Sequence, residues 1–393
     1  MPEYPDKELQ SGPALGAQLP PTQSEWAAQL LPGYAELHCI SNFSFQRGAS
    51  HPEELVQRAY QIGYEALAIT DECSVAGVVR AHVGLKEYLQ ELEKLEQEKP
   101  EEGPLRHSFK LLLGSEFAFP EGRLVAIARD LAGWGGLCQF ISAARMGEGT
   151  VKGEYRVDWQ ESELQLLQGC EIVWLPRRME GEALDMEAAG ALIERMAEIF
   201  SRHLWIGTEL LHELDDELWL AGLQELSQRT GVALVAAGDV HMHVRSRKRL
   251  QDVITAVQQG RTVNDCGFAL QGNAERHLRA RLRLGQIYPA ALLANTLEVA
   301  KRCSFSLEEI RYNYPLETVP KGQTPMGALA RLTLRGAYKR YGRKIPGKHR
   351  IQIRHELRII RIKNYEMYFL TVADIVRFAR DQKILCQGRG SAA

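Results

Sequence analysis

Residues 34–82, YAELHCISNFSFQRGASHPEELVQRAYQIGYEALAITDECSVAGVVRAH, read as strand, helix, strand, with metal-ligand residue types where both strands run out. His38 closes the first apolar run and Asp71 closes the second. In parallel α/β architectures functional side chains gather at the carboxyl ends of strands, because loops leave the rigid sheet there and can change without disturbing the core. This one unit therefore predicts both an α/β fold and the end of it that carries a site.

Outward from that unit the same alternation continues. ALAIT, KLLLGSEFAF, LVAIA, EIVWL, LWIGTEL and VALVAAGDVHMH are short apolar runs flanked by amphipathic stretches, the pattern of successive βα units around a mostly parallel sheet or barrel. Lys86–Gly103 is charged throughout and predicts a helix running into an acidic loop. After about residue 270 the pattern changes to longer basic helices, such as Pro289–Arg302 and Met326–Tyr341. Residues 1–33 are rich in Pro, Gly, Ser and Gln without apolar periodicity, which predicts a disordered tail. The last segment, ADIVRFARDQKILCQGRGSAA, predicts a helix, a short buried strand ILCQ and a glycine-bracketed turn. A domain seldom stops directly after such a turn, so the sequence reads as cut short.

The chain has 393 residues, enough for two to three domains, and its 45% hydrophobic and 25% charged makeup is that of a globular protein. Its seven cysteines are scattered and odd in number, with no CxxC pair. That argues for reduced thiols in the cytoplasm rather than disulfides or structural zinc. No window approaches a membrane span. The net charge of -2 conceals an asymmetry, because Lys321–Lys363 contains thirteen Lys or Arg and a single acid, Glu356. So much positive charge repels itself unless a polyanion offsets it, which makes nucleic acid the natural partner. Within it, Arg350, Arg354 and Arg358 are candidate phosphate contacts.

Five positions at predicted strand ends carry metal-ligand types: His38, Asp71, Glu116 in GSE, and Asp239 and His241 in GDVH. Residues two apart on a strand share a face, so Asp239 and His241 can reach one cation. Imidazole mixed with carboxylate suits Zn, Mn or Fe better than Ca or Mg. His243 and His212 are possible additions, whereas His51, His82 and His107 read as capping or surface residues. Gly388, Arg389, Gly390 and Ser391 form a GRGS turn whose N–H groups, hydroxyl and guanidinium could cradle a phosphate.

The runs at residues 36–55, 66–82, 111–119, 234–256 and 368–393 closely resemble the N-terminal third of bacterial C-family DNA polymerases, relatives of the polymerase III α subunit. The likeness is greatest to the error-prone, damage-tolerant branch. It implies a PHP domain, a distorted β/α barrel, over 34–270, followed by the opening part of the polymerase palm over 271–393. It implies lesion bypass and mutagenic DNA repair, with primed or damaged DNA and dNTP as partners, and other mutagenesis proteins beside them. In the family, palm carboxylates bind two Mg ions, and these lie beyond Ala393; GRGS helps hold the incoming nucleotide's phosphates. This chain alone should not polymerise DNA.

Its PHP site departs from that of metal-binding relatives. Where they have a second His two residues after the first, this chain has Ile40; where they have Asp-His, it has Asp71 and Glu72; and a His before LVAIA is replaced by Arg123. Such a shell could hold a Zn or Mn ion but not a full cluster. Alternatively, Arg123 stands in for a missing cation among Asp71, Glu116 and Asp239. Two other functions stay open beside the polymerase reading: a metal-dependent phosphoesterase, and a non-catalytic scaffold binding DNA or a repair partner.

Overall fold

The computed structural model describes residues 31–99, 106–147, 149–159, 161–178, 184–310 and 319–386. Most of the expected tail and the whole GRGS turn lie outside these. The chain divides into two compact units, one ending at Ile310 and the other beginning at Arg311.

In the first unit seven strands follow one another across a single sheet: β1 Ala35–Glu36, β2 Ala66–Ile69, β3 Lys110–Phe119, β4 Gly122–Ala128, β5 Cys170–Pro176, β6 Leu204–Glu209 and β7 Leu234–Ala237. The first three are mutually parallel, as are the last three. Just past β1 and β7, Ile40 N–H donates to Val240 O at 2.9 Å and Val240 N–H to His38 O at 2.9 Å, bringing the two sheet edges together into a nearly closed barrel. The expected βα alternation fails once. LVAIA is an antiparallel return from KLLLGSEFAF: Phe119 pairs with Gly122, leaving Pro120 and Glu121 as a two-residue turn. Because β4 runs backwards, its first residues lie at the carboxyl ends of its parallel neighbours. Arg123 thereby reaches the site end of the barrel.

Alternate strand residues fill the interior. Ala35, Leu37, Ala66, Ala68, Leu112, Val125, Ile127, Val173, Leu175, Trp205, Val235 and Ala237 form one buried cluster. Each large aliphatic side chain here contributes roughly 1.5–3 kcal/mol through removal from water. The opposite strand faces pack on an outer layer of helices: α1 Pro52–Gln61, α2 Val78–Glu98, α3 Leu131–Met146, α4 Met186–Phe200 and α5 Asp216–Thr230. α1 starts where the sequence suggests. His51 precedes Pro52, and its N–H donates to Glu54 Oε2 at 2.9 Å.

Past α5 lie α6 Lys248–Gln259, α7 Arg281–Ile287 and α8 Ala290–Arg302. The first compact unit runs past the expected domain close at residue 270. Val299, Ala300 and Cys303, at the end of α8, complete the interior cluster. Lys110 Nζ ties that end down with bonds to Ala300 O at 2.8 Å and Cys303 O at 2.9 Å, a cation at the negative pole of a helix. The basic, helical look of 271–310 predicts a change of domain, and the end of this segment packs on the barrel interior.

The second unit holds α9 Pro325–Tyr341, α10 Gly347–Lys363 and α11 Glu366–Asp381. They meet around Ala328, Leu329, Ile360 and Leu370. The expected buried strand ILCQ is not formed over its described part: Ile384–Cys386 is irregular and Leu385 is fully exposed. No described helix is long and apolar enough to cross a membrane, and the cysteines are free thiols.

Candidate metal-type centre and nucleic-acid interface

Strand parity fixes what points into the barrel mouth. Glu116 pairs with Val125, Arg123 with Leu175, and Glu209 with Ala237, so all three sit on the interior face, one layer above the apolar filling. His38 lies past the end of β1, where alternation has stopped, and its ring reaches inward. Asp239 follows β7 with φ of 43°, a left-handed backbone unusual for a non-glycine residue and found most often where function or packing demands it.

These side chains form a closed network. His38 Nε2 is 2.5 Å from Glu116 Oε2, and its Nδ1 is 2.8 Å from Glu209 Oε1. Arg123 spans two carboxylates, with Nη2 2.6 Å from Glu209 Oε2 and Nη1 3.0 Å from Asp239 Oδ1. Arg47 Nη1 contacts Glu116 Oε1 and lies 2.6 Å from Glu72 Oε2. Arg276 Nη1 is ion-paired with Asp239 Oδ2, and His241 Nε2 lies 3.0 Å from Asp239 Oδ1.

Protonation follows from these neighbours. Burial pushes the Glu116 carboxyl up, but Arg47, His38 and Arg123 together hold it well below the usual carboxylate range. Glu209, pushed up by burial and down by Arg123, His38 and Arg276, ends at about 2. Burial opposes charge on His38, yet its bonds to Glu116 and Glu209 raise its affinity for a proton. For His241, burial and then Arg47 favour the neutral ring. Burial, with Arg123 alongside, lowers Arg276 to about 10. Beside this network the mouth opens into a cavity of ≈ 800 Å³ whose walls include Arg123, Arg177, Arg178, Glu209, Trp219 and Arg276.

Of the residues expected from sequence, His38, Glu116 and Asp239 come together, with potential ligand atoms within 4.8 Å of one another. His241 adjoins them through Asp239. Asp71 does not join: its oxygens accept from Ser41 N–H at 2.7 Å, Ser44 Oγ at 2.7 Å and Ser41 Oγ at 2.8 Å, so it pins the 41–44 turn. Arg123 accordingly pairs with Glu209 and Asp239, and Asp71 is not among its partners. His212 N–H donates to Asp216 Oδ2 at 2.8 Å ahead of α5, and His243 bonds Ser50 Oγ at 2.9 Å; neither enters the centre. Glu209, Arg47 and Arg276 were not anticipated. Glu209 was legible, since it ends LWIGTE as Glu116 ends LLLGSE. Arg47 sits in a loop without periodicity, and Arg276 falls beyond the expected domain close.

A divalent ion is implied by this donor composition, but the donors are engaged with one another. Both ring nitrogens of His38, the oxygens of Glu116 and Glu209, and Oδ1 of Asp239 already have partners within the network. The residues present do not fit a metal cluster.

In the second unit every Lys and Arg from Lys321 to Lys363 is exposed. Arg350, Arg354 and Arg358, four residues apart on α10, share one helical face.

Residues 36–208 match the PHP domain family, and residues 327–393 match the family described as the bacterial DNA polymerase III alpha NTPase domain. A protein named error-prone DNA polymerase from Methylococcus capsulatus is 47% identical over 361 residues, which is 92% of this chain and 32% of that protein. One of the same name from Dechloromonas aromatica is 47% identical over 368 residues, covering 92% and 33%. The chain is thus similar to PHP-bearing DNA polymerase III alpha proteins over both of its units. It spans about a third of the length of these curated relatives. Among solved structures, an amidohydrolase from Chromobacterium violaceum with sulfate bound aligns over 53% of this chain and 88% of its own, at 16% identity and a TM-score of 0.34. That likeness is too slight to bear on chemistry. The barrel of this chain sets its strand-end histidine and acids among guanidiniums.

Proposed function

We propose that this chain is the N-terminal portion of an error-prone DNA-directed DNA polymerase acting in damage-induced mutagenesis and lesion bypass. The observation that carries this reading is the match, along 92% of the chain, to relatives bearing that name. The wholly exposed basic run of the second unit supports it, because such a surface suits a phosphate backbone and has no use in a free-standing phosphatase. In this reading Arg350, Arg354 and Arg358 contact DNA phosphates, while Gly388, Arg389, Gly390 and Ser391 cradle the phosphates of the incoming dNTP. Two Mg ions would be held by palm carboxylates downstream of Ala393. The PHP barrel serves as a rigid support. Free thiols suit a cytoplasmic setting.

The interface is tested by binding to primed duplex DNA across a salt series. Neutralising Arg350, Arg354 and Arg358 to Ala should weaken binding and reduce the slope of log Kobs against log salt by roughly 2–3. Unchanged affinity and slope would remove these residues from the interface. The polymerase reading itself is tested by the coding sequence beyond Ala393, where a DxD-type acidic motif is expected, and by primer extension with the whole product.

A further inference from the structure

We propose that Arg47, Arg123 and Arg276 are fixed internal counter-ions holding the positions that divalent cations would take, so that this barrel folds and stays folded without metal. The inference stands apart from the polymerase reading, since it concerns only the first unit.

The argument starts from burial. Glu116 is 1% exposed and Asp239 is fully buried, and with Glu209 they converge on one imidazole. Carboxylates gathered away from water repel one another and lose hydration, so the fold requires positive charge among them. A bound ion is one solution, and a guanidinium is another. A guanidinium presents several N–H donors in a rigid plane and keeps its charge throughout the physiological range.

The geometry takes the second course. Arg123 links Glu209 to Asp239 and Arg47 links Glu72 to Glu116, each bridging two carboxylates as a shared cation would. Arg276 lies against the second oxygen of Asp239. His38 supplies the remaining link, from Glu116 to Glu209. Both oxygens of Glu116 and Glu209, and Oδ1 of Asp239, are thereby occupied. A divalent ion entering here would displace these bonds and lie against charges of its own sign. The three arginines also come from separate elements, the 41–50 loop, β4 and the segment before α7, so they fasten the loop and that segment to the barrel mouth. A metal in the same place would bind those elements only when present, whereas the arginines do so permanently.

The test uses the full chain. After equilibration with excess Zn or Mn and desalting, the wild-type protein should retain well under one transition metal per chain by elemental analysis. Its Tm should be unmoved by EDTA, Zn or Mn. Arg123→Ala should lower Tm by roughly 5–10 °C, and Zn or Mn should restore part of the loss by filling the space vacated among Glu209, Asp239 and His38. Arg123→Lys, which keeps the charge but not the fork, should fall between the two. One or more tightly held metals per wild-type chain, or a Tm that drops in EDTA, overturns the proposal. So does an Arg123→Ala protein as stable as the wild type. If Arg123→Ala fails to fold, the wild-type metal content and the Arg123→Lys protein decide the matter.

Discussion

Replacing Arg47 by Met keeps most of the aliphatic stem and deletes the charge between Glu116 and Glu72. Glu116 is 1% exposed, so water cannot take over from the lost partner, and only His38 and the more distant Arg123, 3.9 Å away, continue to offset its charge. Breaking one side of a buried pair costs about 3–5 kcal/mol. The Arg47 side chain is 21% exposed, which places the expected loss near the lower figure, about 3 kcal/mol. With a urea m-value of roughly 3 kcal/mol/M, the midpoint should fall by about 1 M. All six tryptophans precede Ile310, so tryptophan fluorescence, excited selectively over tyrosine, follows the first unit alone. Pairing Arg47→Met with Glu116→Gln removes the stranded carboxylate. That double variant should be more stable than the sum of its two single losses predicts, by about 2 kcal/mol. Strictly additive losses, or a midpoint shift for Arg47→Met below about 0.3 M, would show that Arg47 does not neutralise Glu116 and that the charge balance drawn here is wrong.

Lowering the pH should erode the contribution of Glu209. Burial pushes this carboxyl up, but Arg123 and His38 bring it down to about 2, so the folded state binds fewer protons than the unfolded one. Its stabilisation, on the order of 3 kcal/mol, is full above the unfolded pKa of about 4.3 and is lost as pH falls toward 2. The urea midpoints of wild type and Glu209→Gln should therefore converge between about pH 5 and pH 3, and a constant gap would count against the assignment. Gly207→Ala should destabilise the first unit by about 1–3 kcal/mol, because an added Cβ would press into the Leu175 side chain and lie 2.8 Å from Val173 Cγ1 inside the barrel. A melting temperature within about 1 °C of wild type would show that the interior yields at this point. A fragment comprising residues 31–310 should unfold cooperatively, whereas one comprising 31–270 lacks Val299, Ala300 and Cys303 from the barrel interior and should not. Equal cooperativity in circular dichroism melts would return the boundary to residue 270.

Much of the architecture was legible because strand and helix periodicities are local. The segment 34–82 shows its strand, helix and strand through apolar spacing alone, and His51, Pro52 and Glu54 mark the start of α1. Local periodicity does not reveal direction, so the antiparallel return at Pro120 and Glu121 passed for another βα unit. Nor does it say where a helix docks. α8 has the basic, amphipathic character of the helices beyond it, yet its last residues enter the barrel. In the site, His38, Glu116 and Asp239 were readable as strand-end residues of ligand type. Asp71 met the same criterion but is satisfied by Ser41 and Ser44, partners within its own neighbourhood.

The sequence by itself determined the α/β alternation, the strand ends at which polar residues collect, and the positive charge of the final quarter, since each depends on residue type at short spacing. Only the tertiary structure decided which charges meet. Arg47, Arg123 and Arg276 lie far apart along the chain, and closure of the barrel together with the reversed direction of β4 delivers all three to the same few carboxylate oxygens. An ion pair depends on distance in space and on exclusion of water, and neither quantity exists until the barrel has closed.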